Sequence, residues 1–417
     1  MKIAFKTLGC RLNQYETDAL AHMFRESGYE VSQNENGADA VIINTCTVTN
    51  QSNQKSRNII SRAIRANGNA TTVVTGCMAV SHREQLLEKF PNIVIIDNNN
   101  KSALFHRVDS LLRTGSIQLA GIDHDLFSYH SFTEMFHTRS LVKIQDGCDN
   151  FCTYCIIPFV RGRAVSCPVE VVLNNVREVI QKGAKEIVIT GVNISRYHNS
   201  GVTFSHLIEK ILNLDGDFRL RISSVEPDRL DNRLFALINH PRLAPHLHLC
   251  LQSGSDKVLS QMKRMYTVGN FLTIVEKIRT INPLFNFTTD VIVGFPNETN
   301  DDFNQSLSIA RQVGFGHIHI FKYSVRHGTR AQQMTNHIPE KVKTERSRQL
   351  HELAAQLTAA YRQPFDNTEQ RILVERFKNG VAQGYNDYYV PMQFATDNPQ
   401  RNRFATVKAC VKEFEKE

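Results

Sequence analysis

The chain has 417 residues, 41% of them hydrophobic and 22% charged, with 49 Lys and Arg against 41 Asp and Glu. This length predicts two or three domains, and the composition excludes a disordered or collagen-like chain. No apolar run approaches the roughly 20 residues that cross a bilayer, and residues 1–10 do not resemble an export signal, so we expect a cytoplasmic protein without a membrane partner. Nine cysteines in such a chain favour thiolate chemistry over a disulfide framework.

The first 113 residues alternate short β-branched runs with helical stretches. Strands are predicted at 3–8, 41–43, 72–75 and 93–96, and helices at 15–27, 51–67, 83–90 and 102–112. This alternation predicts an N-terminal domain, 1–113, built on an open parallel α/β sheet. Residues 114–134 lose the periodicity and are assigned as a linker.

A second alternation of strands and helices follows the linker. Its six apolar runs are 141–144, 186–190, 218–223, 246–251, 287–293 and 317–323. They predict a partial TIM-type (β/α)6 barrel within residues 135–364, with chemistry at the C-terminal ends of the strands. Residues 365–417 predict a small β module that is too short to hold much core alone.

Three cysteines lie close together in the loop after the first barrel strand. Cys148, Cys152 and Cys155 form a CxxxCxxC pattern in a polar loop. Three thiolates on one loop can ligate three irons of a cubane cluster and leave the fourth iron open to a small molecule. Structural zinc is the alternative, but it requires a fourth ligand at nearby spacing, and Cys167 lies twelve residues further on.

Three other cysteines are distant in sequence but occupy equivalent places. Cys10, Cys46 and Cys77 each follow a predicted strand of the N-terminal sheet. Because the carboxyl ends of parallel strands line one crevice, we expect the three thiols to converge there as a second metal-cluster site. Taken singly, each cysteine is more often a buried small hydrophobic residue.

The net charge of +8 is concentrated in one stretch. Residues 41–83 contain no Asp or Glu but carry Lys55, Arg57, Arg62, Arg65 and Arg83. The pattern is compatible with a solvated helix face or with a surface that faces a polyanion.

The cysteine loop resembles the signature of the radical S-adenosylmethionine (SAM) enzymes, and its surroundings resemble the methylthiotransferases of that superfamily. The resemblance is carried by residues 147–158 with Arg161 and Arg163, and by the motifs at 190–193, 221–227, 249–256, 262–267, 289–298 and 323–329. It covers nearly the whole chain. The last module departs from the family's RNA-gripping TRAM barrel, which it matches loosely at residues 373–375 and 384–385.

The resemblance implies two [4Fe-4S] clusters, with SAM bound at the open iron of the Cys148, Cys152 and Cys155 cluster. Cys10, Cys46 and Cys77 would hold the auxiliary cluster that supplies sulfur. Polar groups at strand ends are the candidate SAM contacts: Thr190, Gly191, Asn193, Ser223, Ser224, Gln252, Ser253, Asp290 and Gly294. A helix cap is the alternative role for these polar side chains, and a strand-end turn is the alternative for Gly294.

The first motifs indicate the subfamily. Residues 8–17 and 44–50 resemble the MtaB type, which adds a methylthio group to threonylcarbamoyladenosine at position 37 of tRNA. The MiaB type, which acts on isopentenyladenosine, and the RimO type, which acts on a ribosomal-protein aspartate, have different residues after the first cysteine. A non-enzymatic RNA-binding iron–sulfur or zinc scaffold is a further alternative, but it leaves the predicted barrel without a role.

The resemblance also implies how the reaction proceeds and which partners it needs. One SAM methylates a sulfur at the auxiliary cluster, and a second SAM yields a radical that removes hydrogen from carbon 2 of the adenine, so no catalytic acid or base is assigned. The partners implied are a tRNA anticodon loop, beside Lys55, Arg57, Arg62 and Arg65, and an electron donor. We expect a monomer.

Overall fold

The computed structural model describes residues 1–68, 70–117, 125–128, 138–398 and 400–412. It divides into two compact units, the first comprising residues 1–149, 155–178 and 190–192 and the second comprising 150–154, 179–189 and 193–417. Most of the predicted linker, at 118–124 and 129–134, lies outside the described residues, and the predicted domain boundaries stay predictions.

The first unit begins with an open parallel sheet, as predicted. Its strands are β1 (Lys2–Thr7), β2 (Glu30–Ser32), β3 (Ala40–Thr45), β4 (Thr71–Gly76) and β5 (Val94–Ile95), in the order β2-β1-β3-β4-β5. Its helices are α1 (Arg11–Glu26), α2 (Asn50–Ala66), α3 (Cys77–Ser81), α4 (Arg83–Lys89) and α5 (Leu104–Thr114). All neighbouring strands of this sheet pair in parallel. Strand β2 was not predicted, since its three residues contain no apolar run.

Alternation of side chains along the strands gives the sheet an apolar core on each face. Ile42 and Val73 pack with one buried cluster, whereas Val41 and Val74, their neighbours in sequence, pack with another. Strands buried on both faces read as continuous β-branched runs, which is why the sequence predicted them well.

The first unit continues through the first barrel strand and the parts of the cysteine loop outside residues 150–154. Its further elements are β6 (Ser140–Lys143), β7 (Gln145–Asp146), α6 (Ile157–Arg161) and β8 (Val165–Ser166), followed by α7 (Val169–Gln181). Strands β7 and β8 pair antiparallel and close the loop between them.

The second unit contains the other five predicted barrel strands. Its strands are β9 (Glu186–Thr190), β10 (His198–Asn199), β11 (Val202–Thr203), β12 (Arg219–Ile222), β13 (Ser224–Val225), β14 (His246–Leu249), β15 (Asn286–Val293) and β16 (His317–Lys322). Its helices are α8 (Phe204–Leu212), α9 (Asn232–Leu237), α10 (Asp256–Gln261), α11 (Val268–Ile281), α12 (Asn300–Val313) and α13 (Glu340–Arg362). Strands β9 and β12 pair in parallel, and β13-β14-β15-β16 form a parallel sheet. Capping boxes at Thr267 and Thr299 start α11 and α12.

The C-terminal residues form a small closed barrel of four antiparallel strands. These are β17 (Thr368–Lys378), β18 (Val381–Asn386), β19 (Pro391–Ala395) and β20 (Phe404–Val411). The sequence missed β18, which has a glycine at its centre. Buried Arg219 joins this module to the α/β part of the second unit, since its guanidinium pairs with both Glu186 and Asp387.

Candidate functional site

Three cysteines of the first unit stand at the carboxyl ends of three adjacent strands. Cys10 caps α1 after β1, Cys46 directly follows β3, and Cys77 is the first residue of α3 after β4. Gly9, with φ of 101°, lies so close to Cys46 that a Cβ atom there would be 2.8 Å from the Cys46 Cβ. The structure therefore brings these cysteines together as the sequence predicted, while their role as cluster ligands stays a prediction.

The environment of these thiols is compatible with a metal cluster. Burial is the main cause that raises the pKa of Cys46, and it raises the pKa of Cys77 to about 11. Cys10 contributes to both increases because two thiolates so near each other repel. A cluster that binds thiolates would overcome this cost, because metal ions displace the thiol protons. All three side chains are free cysteines, so they fit the auxiliary cluster.

A buried group of five charged side chains lies beside the auxiliary cysteines. Arg161 Nη1 lies 2.8 Å from Glu16 Oε1 and 3.2 Å from Asp146 Oδ1. Lys101 Nζ lies 2.5 Å from Glu16 Oε2, and Lys143 Nζ lies 2.6 Å from Asp146 Oδ2. All five residues are at most 5% exposed. We call this set the buried charge cluster; the sequence analysis missed it.

The buried charge cluster acts on both the sheet and the cysteines. Arg161 also donates to Asn13 Oδ1 at 2.7 Å, and Asn13 Nδ2 donates to the carbonyls of Leu8 and Thr45, next to Cys10 and Cys46. The positive charges of Arg161 and Lys101 partly offset the increase in the pKa of Cys77. Two carboxylates against three cations leave an excess positive charge, which favours anionic sulfur.

The CxxxCxxC loop is held at both ends by its backbone. In the first unit, the Cys148 amide donates to the Gly162 carbonyl at 3.1 Å. Gly147 has a φ of 66°, and a Cβ atom at this position would clash with the Arg163 carbonyl. In the second unit, the Thr153 amide donates to the Met262 carbonyl at 3.1 Å. The loop is thus positioned by contacts outside itself, with Cys148 and Cys155 half-buried and Cys152 buried.

Arg264 provides a direct contact to one of these cysteines. Its Nη1 lies 3.2 Å from Cys152 Sγ, and its guanidinium pairs with Glu226. Its Nε donates to the Tyr266 hydroxyl at 3.1 Å, and that hydroxyl donates to the Cys250 carbonyl at 2.6 Å. A cation fixed against a thiolate fits a cluster ligand, whose charge it would offset. Arg264 and Glu226 lie in the motifs at 262–267 and 221–227, but their pairing joins segments that no spacing in the sequence relates.

The candidate SAM contacts lie at or near strand ends, with Asp290 as the exception inside its strand. Thr190 is the last residue of β9, and Gly191 and Asn193 come just after it. Ser223 follows β12, and Ser224 is the first residue of β13. Gln252 and Ser253 come after β14, and Gly294 comes after β15. Gln252 and Asp290 are brought together, since the Gln252 amide donates to the Asp290 carbonyl at 2.9 Å. Thr190 and Gly191 belong to the first unit and the others to the second.

Some of these positions have a second physical explanation. A Cβ on Gly294, whose φ is 73°, would lie 2.3 Å from Lys343 Cγ, so packing against the lysine stem also requires a glycine there. The nearby helices α9 and α10 are capped by Asp231 and Ser255, not by Ser223 or Ser224. Whether the nine residues bind SAM stays a prediction.

Strands β14, β15 and β16 bring together a group that the sequence analysis did not anticipate. His248 Nε2 lies 3.4 Å from Asp290 Oδ1, and the rings of His248 and His319 are 5.6 Å apart. One nitrogen or oxygen from each of the three residues lies within 4.8 Å of the others. The three residues come from separate strands, so no spacing in the sequence reveals the group.

The predicted RNA-facing residues lie along α2. Asn53, Ser56, Ile60 and Ala63 form its buried face, whereas Lys55, Arg62 and Arg65 are exposed and Arg57 is half-buried. Arg62 Nε lies 2.9 Å from Glu35 Oε1, so part of its charge is engaged within the protein. The exposed face of α2 therefore carries positive charge that solvent can reach. This is compatible both with a solvated helix face and with a surface that faces a polyanion.

No helix among the described residues is both long enough and apolar enough to span a bilayer.

Comparison with known protein families gives two matches. Residues 2–97 match the model described as uncharacterized protein family UPF0004, and residues 142–310 match the radical SAM superfamily. The two matches cover the sheet with the auxiliary cysteines and the segment with the CxxxCxxC loop.

Individual relatives extend over nearly the whole chain. The chain is 36% identical to the threonylcarbamoyladenosine tRNA methylthiotransferase MtaB of Thermotoga maritima, over 99% of this chain and 95% of the relative. It is 38% identical to the protein of the same name from Chlamydia pneumoniae, over 93% of this chain and 90% of the relative. Among solved structures, the radical SAM methyltransferase TsrM of Kitasatospora setae, with cobalamin and a [4Fe-4S] cluster bound, has a TM-score of 0.58 at 14% identity, covering 79% of this chain and 77% of that one. At 14% identity, the similarity to TsrM is a similarity of fold alone.

Proposed function

The chain belongs to the MtaB type of the radical SAM methylthiotransferase family, and from that membership we propose that it converts N6-threonylcarbamoyladenosine at position 37 of tRNA to its 2-methylthio derivative. It is an enzyme whose cofactors are two [4Fe-4S] clusters and SAM. The observation that carries the proposal is the presence of two separate cysteine triplets, Cys10 with Cys46 and Cys77, and Cys148 with Cys152 and Cys155.

The two triplets have separate tasks in this proposal. When bound, the clusters supply reductive cleavage of SAM at one triplet and a sulfur for transfer at the other. The protein holds the ligands: strand ends fix Cys46 and Cys77, and the backbone bonds of Cys148 and Thr153 fix the loop. A second triplet distinguishes such a transferase from an enzyme that only generates a radical.

The polar residues around Cys152 are largely buried. The Arg264 side chain is 4% exposed and contacts both Cys152 Sγ and the Glu226 carboxylate. Gln252 and Ser253, at 8% and 0% exposure, offer buried polar groups for SAM next to Asp290. Exclusion of water matters here because a carbon radical that meets solvent or a stray side chain is lost to side reactions.

The tRNA would approach the first unit with its anticodon loop. Helix α2 begins four residues after Cys46, and its exposed face carries Lys55 and Arg65. Phosphate contacts from such residues position an RNA and make its affinity salt-dependent. We further propose that the enzyme is a cytoplasmic monomer that takes its electrons from a separate protein donor.

The test is mass spectrometry of tRNA nucleosides from cells with the gene, without it, and without it but carrying the Cys77→Ala variant. We expect 2-methylthio-threonylcarbamoyladenosine only with the intact gene. Loss of the isopentenyl form instead would move the enzyme to the MiaB type. Unchanged tRNA together with a changed ribosomal-protein aspartate would move it to the RimO type.

A further inference from the structure

The parallel strands β14, β15 and β16 expose one face of polar and aromatic side chains. On β15, Thr289, Val291 and Val293 are at most 1% exposed, whereas Asp290 between them is partly exposed. Successive side chains of a strand point to opposite faces, so Asp290 lies on the opposite face from these three side chains. His319 pairs with Asp290 in register on β16 and is exposed.

The side chains on this face form a connected polar group. The imidazole of His248 lies between two neighbours, with Nδ1 3.1 Å from Thr288 Oγ1 and Nε2 3.4 Å from Asp290 Oδ1. The Asp290 carboxylate is thereby engaged by an imidazole. His319 stacks edge-on against His317, with ring centroids 4.5 Å apart, and is the most exposed member of the group.

The backbone beneath this face is continuous with the segment that meets the residues around Cys152. Arg264 contacts Cys152 Sγ and donates to Tyr266, whose hydroxyl donates to the Cys250 carbonyl. Two residues further along, the Gln252 amide donates to the Asp290 carbonyl. Residues 250–252 therefore join the strand that carries Asp290 to the segment that contacts Cys152.

The substrate assigned under the proposed function has a distinctive substituent. Threonylcarbamoyladenosine carries a carboxylate on its N6 substituent, whereas an isopentenyl group is wholly apolar. A site that hydrogen-bonds a charged substituent favours it over an analogue without it, because the analogue loses a hydrogen bond to a charged group. The imidazole N–H groups of this face suit the first substituent and not the second, while the Asp290 carboxylate, which would repel a substrate carboxylate, is engaged by His248.

We propose that His319, supported by the adjacent His248–Asp290 pair, donates an N–H to the carboxylate of the threonylcarbamoyl group and so selects this substrate over isopentenyladenosine. The inference rests on the proposed function, and it adds the residue that sets the choice. His319 is a binding residue for a part of the substrate that does not react.

The test measures binding of anticodon stem-loops to the holoenzyme in the absence of SAM. Three loops of one sequence carry threonylcarbamoyladenosine, its carboxamide analogue or isopentenyladenosine at position 37. For the wild type we expect the carboxylate loop to bind most tightly. His319→Phe should lower affinity for that loop roughly ten- to a hundredfold, as expected for a lost hydrogen bond to a charged group, and leave the isopentenyl loop unchanged.

Two further variants separate selectivity from general damage. His319→Gln keeps an N–H donor and should retain part of the preference. His351→Phe, on the exposed face of α13, alters a histidine outside the polar face and should retain all of it. Thermal unfolding and iron content of every variant should match the wild type.

Three outcomes are distinguishable. In a parallel assay with SAM and a reductant, a wild type that does not methylthiolate the threonylcarbamoyl loop refutes the proposed function itself. A wild type that does so, with a His319→Phe variant of unchanged preference, overturns the inference alone. Because two histidines and a carboxylate are also a ligand set for divalent transition metals, a stoichiometric metal beyond the cluster iron, lost in His319→Phe, would overturn it as well.

Discussion

The two cysteine triplets are built in different ways. Cys148, Cys152 and Cys155 lie within eight consecutive residues, so chain connectivity alone keeps them near one another. Cys10, Cys46 and Cys77 span 68 residues and meet only because β1, β3 and β4 are neighbours in a parallel sheet. The first site requires a loop, whereas the second requires a folded domain.

This difference extends to the surroundings of the two sites. The auxiliary triplet lies beside the buried charge cluster, in which Glu16 and Asp146 are each held by two cations. At the loop triplet, Arg264 contacts Cys152 and pairs with Glu226. Both sites thus have tertiary electrostatic contacts, but the auxiliary triplet also needs the sheet to bring its cysteines together.

The largest expected effect separates the tasks of the triplets. On the predicted assignment of Cys152 as a ligand of the SAM cluster, Cys152→Ala should abolish both 5′-deoxyadenosine formation and methylthiolation. Cys77→Ala should abolish methylthiolation while SAM cleavage continues, because the loop triplet is intact. Chromatography of the reaction products measures 5′-deoxyadenosine and the methylthiolated nucleoside, and the iron content of each variant shows which clusters it retains. Loss of SAM cleavage in Cys77→Ala at full SAM-cluster iron would show that the triplets are not separable.

The second prediction concerns the stability that the auxiliary site requires. Glu16→Gln leaves Lys101 and Arg161 as buried cations short of a partner charge, and breaking such a buried pair costs about 3–5 kcal/mol in the free energy of unfolding. Urea unfolding of the reconstituted enzyme measures the change. The control Glu352→Gln removes an exposed i,i+4 pair with Arg348 and should change stability by less than about 1 kcal/mol. Equal effects for the two variants would contradict the role of the buried charge cluster.

The third prediction is the pH dependence of that stability. Burial by itself would raise the pKa of Glu16, but the charges of Arg161, Lys101 and Lys143 outweigh it and hold the pKa far below its ordinary range. A folded-state pKa below the unfolded value of about 4.3 contributes stability that is present above that pH and is lost as pH falls below it. The wild type should therefore lose stability more steeply than Glu16→Gln on acidification below about pH 5. If the wild type and Glu16→Gln lost stability equally steeply below about pH 5, this assignment would be refuted.

The smallest expected effect tests whether the side of the molecule with α2 meets RNA. Lys55→Glu with Arg65→Glu should weaken tRNA binding and reduce the slope of log affinity against log salt by about 2, if each side chain contacts one phosphate. Lys341→Glu with Arg348→Glu, on the exposed face of α13, makes the same charge change elsewhere. Equal salt slopes for the two double variants would remove the tRNA role from α2.

Sequence reasoning worked where a local pattern records the tertiary environment. Buried parallel strands such as β3 and β4 are continuous β-branched runs because both faces of the sheet are buried. It failed at β2 and β18, which are short or contain glycine and owe their pairing to neighbouring strands.

The sequence by itself determined the chemistry of this protein. A CxxxCxxC loop places three thiols together by covalent connectivity, and strand-ending cysteines in an alternating α/β pattern identify the second triplet. Only the tertiary structure decided what surrounds them: the buried charge cluster, the Arg264 contact to Cys152, and the His248, Asp290 and His319 group. These interactions join residues from separate strands and helices, and Coulomb and hydrogen-bond energies depend on distances and burial that the order of residues does not encode.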